Sequence, residues 1–169
     1  MMAVPKTIRF DTLDVMIAED SDQMRAYLRS IFETAGTTRI RDARDGTEAL
    51  AAVRAEPPDL VVTDFQMPGL DGPALTSAIR ASANERLRFM PIVMVTAFTE
   101  RSQLRKAFDA GVNSILHKPV LPADLLQAVA AALTTPRPFV RARGYFGPDR
   151  RSRQVPVIGD RRAPAAESE

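Results

Sequence analysis

Short apolar runs alternate along this chain with stretches whose apolar residues recur every third or fourth position, and the alternation holds from residue 13 to residue 133. The run LDVMIA (13–18) predicts a strand. After it, Met24, Leu28, Ile31, Phe32 and Ala35 fall at helical spacing, and Gly36 supplies a stop. TRIRDA (38–43) reads as a strand, and DGTEALAAVRAE (45–56) as a helix ended by Pro57 and Pro58. DLVVTD (59–64) is a buried strand, MPGLDG (67–72) a loop, and PALTSAIRAS (73–82) a helix with Pro73 in its first turn. PIVMVTA (91–97) and VNSILHKP (112–119) are strands flanking the helix RSQLRKAFDAG, which Gly111 closes. PADLLQAVAAAL (122–133) is the last helix.

That makes five strand–helix units. Strands so poor in polar residues are buried on both faces, which calls for a parallel sheet with helices on either side. Right-handed crossovers then favour a doubly wound, flavodoxin-like α/β fold with a five-stranded parallel sheet. The expected organisation is a lead over 1–12, the globular domain over 13–133, and an extended, irregular tail over 134–169. Sites in such sheets lie at the carboxyl ends of the strands.

Composition narrows the chemistry. The chain has no cysteine, which removes disulfides and thiolate metal sites and fits a reducing, cytoplasmic setting. No run approaches the roughly 20 apolar residues of a membrane span, so membrane insertion is not expected. The net charge of +2 hides an asymmetry. Residues 1–133 carry 15 Lys+Arg against 17 Asp+Glu, whereas residues 134–169 carry 8 against 4, and all eight cations are arginine. The basic signal is therefore local, and a nucleic-acid-binding protein is disfavoured because no DNA-binding fold follows the domain.

Placing residues at the strand ends brings Glu19, Asp20 and Asp64 to one edge of the sheet, with Thr96 and Lys118 ending the last two strands. Carboxylates so close together require a cation or raised pKa values. An oxygen-only ligand set suits Mg²⁺. Lys118 and Thr96 supply a charge and a hydroxyl for an anion, and together these groups describe a phosphoryl-accepting aspartate.

At AED, VVTDFQMPGLDG, VMVTA and HKP the chain resembles the receiver domain of two-component response regulators, of which CheY is the minimal example. The resemblance covers roughly Leu13 to Leu133 and implies a signalling protein rather than an enzyme. It implies Asp64 as phosphoacceptor, and Glu19, Asp20, Asp64 and the Gln66 carbonyl as Mg²⁺ ligands. It further implies phosphoryl contacts from Thr96 and Lys118, a cis Lys118–Pro119 bond, and a histidine kinase as phosphoryl donor. Gly69 and Gly72 are explained by turn geometry. One position departs from the family: the Tyr or Phe usual three residues before the lysine is Ile115 here, which cannot present a hydroxyl or perform the same switch.

The tail has five prolines, apolar anchors at Phe139, Val140, Tyr145, Phe146, Val155, Val157 and Ile158, and the near-repeat GPDRR/GDRR. Arginine recognises phosphate and guanine bidentately, aspartate accepts from guanine's Watson–Crick donors, and tyrosine stacks on bases. Cyclic di-GMP meets all these demands. A receiver followed by RPFVRARGYFGPDRRSRQ also looks like the Cle proteins, CheY-like cyclic di-GMP effectors of alphaproteobacteria, some acting at the flagellar motor. This implies a ligand site at Arg143, Tyr145, Asp149, Arg150, Arg151, Arg153, Asp160, Arg161 and Arg162, with Arg137 and Arg141 docking the tail. A flagellar motor switch protein is the implied partner, with recruitment to the flagellar pole. The alternative is a phosphorylation-dependent response regulator or phosphorelay intermediate with an incidental tail.

Overall fold

The structure is a computed structural model that describes residues 7–134, 137–151 and 157–158. Five strands, β1 (Asp14–Ala18), β2 (Arg39–Ala43), β3 (Leu60–Asp64), β4 (Ile92–Thr96) and β5 (Ser114–His117), pair in parallel in the order β2-β1-β3-β4-β5. This is the expected flavodoxin-like sheet. Helices α1 (Asp22–Thr34) and α6 (Pro122–Thr134) pack on one face; α2 (Gly46–Ala55), α3 (Gly72–Arg80) and α5 (Arg101–Ala110) pack on the other. A single turn, α4 (Glu85–Arg88), precedes β4 and has too few apolar positions to show a periodicity.

Strand alternation divides the core in two. Val15, Ile17, Leu60, Val62, Val93, Val95 and Leu116 face Leu28, Phe32, Leu125 and Val129. Met16, Val61, Ile92, Met94 and Ile115 face Val53, Leu75, Ile79 and Ala107. β1 is not wholly apolar: buried Asp14 accepts from Arg41 at 3.0 Å and lies 3.2 Å from Arg39. Both arginines sit on the exposed edge strand β2, so a buried charge is paired at the rim of the sheet.

The sharp starts of the helices follow from their caps. Ser21, Asp45 and Asp71 each accept a hydrogen bond from a backbone N–H in the first turn of α1, α2 and α3. α5 ends at Gly111, whose φ of 105° only glycine adopts at little cost.

The described tail residues, 137–151 and 157–158, are extended, as expected, and fold back onto the receiver. β6 (Phe139–Ala142) and β7 (Tyr145–Pro148) form an antiparallel hairpin around Arg143 and Gly144, and β8 (Val157–Ile158) adds a sixth parallel strand beside β5. The hairpin docks at the amino-terminal edge of the sheet, opposite the strand ends that carry Asp64. Phe139 and Phe146 enclose Phe89 at centroid distances of 4.9 and 5.5 Å. Beneath them the buried Arg80 donates to the carbonyls of Arg88, Met90 and Gly111 and to Asn113 Oδ1. Its guanidinium also lies 4.9 Å from the Phe139 ring centroid. Burial pulls the Arg80 pKa below the ordinary arginine value, and this set of acceptors and the ring face compensate for lost water.

Candidate functional site: an acidic pocket and an arginine-bearing flank

Each residue of the acidic pocket is delivered by the end of a strand. Asp64 closes β3, and its Oδ1 accepts the Phe65 N–H at 2.8 Å and lies 3.3 Å from Lys118 Nζ. Glu19 follows β1, is 1% exposed, and accepts the Ser21 N–H at 3.1 Å. Lys118 Nζ, just past β5, lies 3.5 Å from Glu19 Oε2 and so bridges the two carboxylates. Asp20 is exposed. One carboxylate oxygen from each of Glu19, Asp20 and Asp64 lies within 4.8 Å of the others.

The electrostatics follow from this crowding. Burial, then the Asp64 charge, pushes the Glu19 pKa up to about 7. Burial raises Asp64 as well, against the opposing pull of Lys118. Hard oxygen donors of both exposures, short of cationic partners, fit a small divalent cation that keeps part of its water. Gln66 lines the same open depression, of about 540 Å³, and its carbonyl carries no hydrogen bond among the described residues. Thr96 is fully buried; its Oγ1 accepts the Phe98 N–H at 2.9 Å, and its own O–H has no acceptor among the described residues. The Lys118–Pro119 bond is cis, as expected.

Two glycines near the pocket separate in role. Gly69, with φ of 73°, occupies a turn. Gly72 does not need positive φ: a Cβ there would sit 2.2 Å from the Asp64 carbonyl oxygen, so its role is to let the start of α3 approach the backbone of the aspartate. The turn reading holds for Gly69 and is corrected for Gly72. Phe65 and Phe98, edge-to-face at 5.1 Å, flank the opening and went unnoticed in the sequence.

The expected tail site is brought together only in part. Arg150 lies 4.1 Å from the Tyr145 ring centroid and pairs with Asp109 on α5. Tyr145 donates to the Pro148 carbonyl at 2.8 Å, and burial raises its pKa despite the nearby arginines. Asp149 accepts the Arg151 N–H at 2.9 Å, a turn contact. Arg143 sits at the hairpin tip, at the other end of β7 from Arg150. Arg153, Asp160, Arg161 and Arg162 lie outside the described residues. Arg137 docks the tail as expected, donating to the Asn113 carbonyl; Arg141 does not, since it lies 5.2 Å from the ring centroid of Phe146, its cross-strand partner in the same hairpin, a contact within the tail.

The sequence reading missed the receptor for the hairpin. Arg80 carried the signal, because it falls on the buried face of α3 with Leu75, Thr76 and Ile79, where a cation is anomalous. Asp109 carried none beyond its charge.

A doubly wound sheet with this pocket at its strand ends belongs to the response regulator receiver domains: the family model matches residues 15–130, and the chain is a member. It is a CheY-like signalling domain of two-component systems. The chemotaxis protein CheY of Pseudomonas aeruginosa is 38% identical over 107 residues, which cover 63% of this chain and 85% of that protein. The polar-differentiation response regulator DivK of Brucella ovis is 30% identical over 122 residues, 72% of this chain and 97% of that protein. Among solved structures, the CheX–CheY–BeF₃–Mg²⁺ complex from Borrelia burgdorferi aligns with a TM-score of 0.66 at 27% identity, covering 76% of this chain and 96% of that one. The family match ends at residue 130, before the hairpin. Among the described residues no helix is long and apolar enough to cross a membrane.

Proposed function

We propose that Asp64 accepts a phosphoryl group and that the arginine-rich tail supplies a second input by binding cyclic di-GMP. The observation that carries the first part is Lys118 Nζ at 3.3 Å from Asp64 and 3.5 Å from Glu19, beside a third carboxylate. Asp64 Oδ1 is held by the Phe65 N–H and Lys118, while Oδ2 has no hydrogen bond among the described residues and is free to attack phosphorus. In the reaction an Oδ–P bond forms as the donor's N–P bond (a histidine kinase) or O–P bond (an acyl phosphate) breaks. The donor leaves with the bonding electron pair. Lys118 offsets charge on the phosphoryl oxygens, and the Thr96 O–H is available to donate to one of them. Mg²⁺, held by Glu19, Asp20, Asp64 and the Gln66 carbonyl, supplies charge neutralisation when bound.

The second part rests on the side chains gathered at the tail. Arg150 stacks on Tyr145 beside the receiver, and Arg143 and Arg151 are exposed. Ile115 is fully buried and carries no hydroxyl, so it cannot act as the aromatic readout that relatives use. Its strand is instead flanked by the tail, with Ile115 opposite Val157 and Leu116 opposite Ile158. A ligand that orders or displaces the tail therefore acts on the same strand, and a flagellar motor switch protein is the partner that would read the change. The specific alternative is phosphorylation-dependent signalling alone.

For Asp64 the test is incubation with an acyl-phosphate donor and Mg²⁺. The wild type becomes labelled and Asp64→Asn does not. Equal labelling of both would refute the assignment.

A further inference from the structure

α5 carries a charge arrangement that the fold does not explain. Arg101 opens the helix; the N-cap Glu100 makes no side-chain cap hydrogen bond, and no acidic residue lies in the first turn, although the positive end of the helix dipole sits there. Arg105, four residues on, places a like charge on the same face, and like pairs at that spacing are unfavourable. Neither arginine has a hydrogen bond or ion pair among the described residues, whereas Lys106 lies 3.9 Å from Asp71. Leu104 and Phe108 are half-buried on the same helix and line a depression of about 300 Å³ together with Arg101, Arg105 and Arg150. Arg101 and Arg105 are ~6 Å apart along the axis, and Phe108 follows within one further turn. The depression thus has cations at one end, an apolar floor, and at the other end a tail arginine already stacked on Tyr145.

We propose that this face of α5 is the receiver's half of a composite nucleotide site, taking phosphate on Arg101 and Arg105 and a purine ring against Leu104 and Phe108. Arg150 forms the far wall. The inference rests on the reading of the tail as a cyclic di-GMP segment and adds that the tail is not sufficient for full affinity. The chemistry matches on both counts. Two unpaired guanidiniums beside a helix N-terminus favour an anion, and an apolar floor between cations favours a flat ring over a free inorganic ion. An acidic peptide would leave that floor without a function. Asp109 now takes the role of a competitor: its carboxylate holds Arg150 until a phosphate displaces it.

Titration calorimetry of the full chain with cyclic di-GMP tests this, using Arg101→Ala/Arg105→Ala, Arg150→Ala/Arg151→Ala and Arg54→Ala. Arg54 is an exposed arginine on α2, far along the chain, and controls for the loss of a surface cation away from the depression. The expected result is that each double variant weakens binding about tenfold or more, while Arg54→Ala stays within about twofold of wild type. All variants should keep the wild-type circular dichroism spectrum, since the substituted side chains are exposed. If the α5 double variant binds like Arg54→Ala while the tail variant loses affinity, the composite site is overturned and the tail reading stands. If the wild type itself gives no heat, the tail reading falls and the composite site falls with it. Asp109→Asn should tighten binding; weaker binding by that variant would contradict the competitor role.

Discussion

At the scale of single residues, Glu19 makes the pocket's need for a cation measurable. Its pKa is pushed up to about 7, against an ordinary value of 4.5. Between these values the folded state holds a proton that the unfolded state has released. The associated stability is fully present below about pH 4.5 and is lost as pH rises through 7. A divalent ion favours the ionised form and removes the penalty, so Mg²⁺ should raise the melting temperature more at pH 8 than at pH 5.5. Glu19→Gln should flatten the pH profile over this interval. A Mg²⁺-induced shift of equal size at both pH values would contradict the crowded-carboxylate description. Arg80 makes a second residue-level case. Its four hydrogen-bond acceptors tie together two segments, 88–90 and 111–113, so Arg80→Ala should destabilise the chain by about 2–4 kcal/mol in urea unfolding. A loss below ~0.5 kcal/mol would mean the clamp is not formed in solution.

At the scale of elements, the hairpin β6–β7 is the structure's main addition to what the sequence predicts. The strand–helix units were legible because the buried strands β1, β3 and β4 read as largely apolar runs and helices of nine or more residues show their period, whereas the edge strand β2, RIRDA, was legible only from its place between two helices. The hairpin was not legible, because each of its strands has four residues and its partner surface lies some fifty residues earlier, at Phe89. A tertiary contact of that kind leaves no local pattern. β8, two residues long, is invisible for the same reason. The docked hairpin has a sensitive point at Gly147, where a Cβ would lie 2.6 Å from the Tyr145 hydroxyl and 3.0 Å from the Gly111 Cα. Gly147→Ala should therefore loosen the hairpin by about 1–3 kcal/mol. Amide exchange in 139–148 should accelerate while the receiver's core amides stay protected. Unchanged exchange in the hairpin would show that the close approach to Gly111 does not hold it.

At the scale of the whole molecule, the two ends of the sheet do different work. The carboxyl ends gather Glu19, Asp20, Asp64, Thr96 and Lys118, all of which could be named from the sequence because strand ends are fixed by the topology. The opposite edge receives the tail hairpin, and the flank of α5 meets Arg150. That half was only partly legible. Arginine content marked the tail as unusual, but which arginines dock and which remain free depends on Phe89, Arg80 and Asp109, residues that carry no motif. Ile115 acquires a physical setting here: the strand that carries it is flanked by the chain's own tail.

The claim that the tail is an input in its own right is tested most directly by calorimetry with cyclic di-GMP at 150 mM salt (~8 Å screening length), comparing the full chain with one ending at Leu133. The full chain should bind, with clear preference over cyclic di-AMP, and the shortened chain should give no heat. Absent or equal heats in the two would contradict it and leave Asp64 as the sole input.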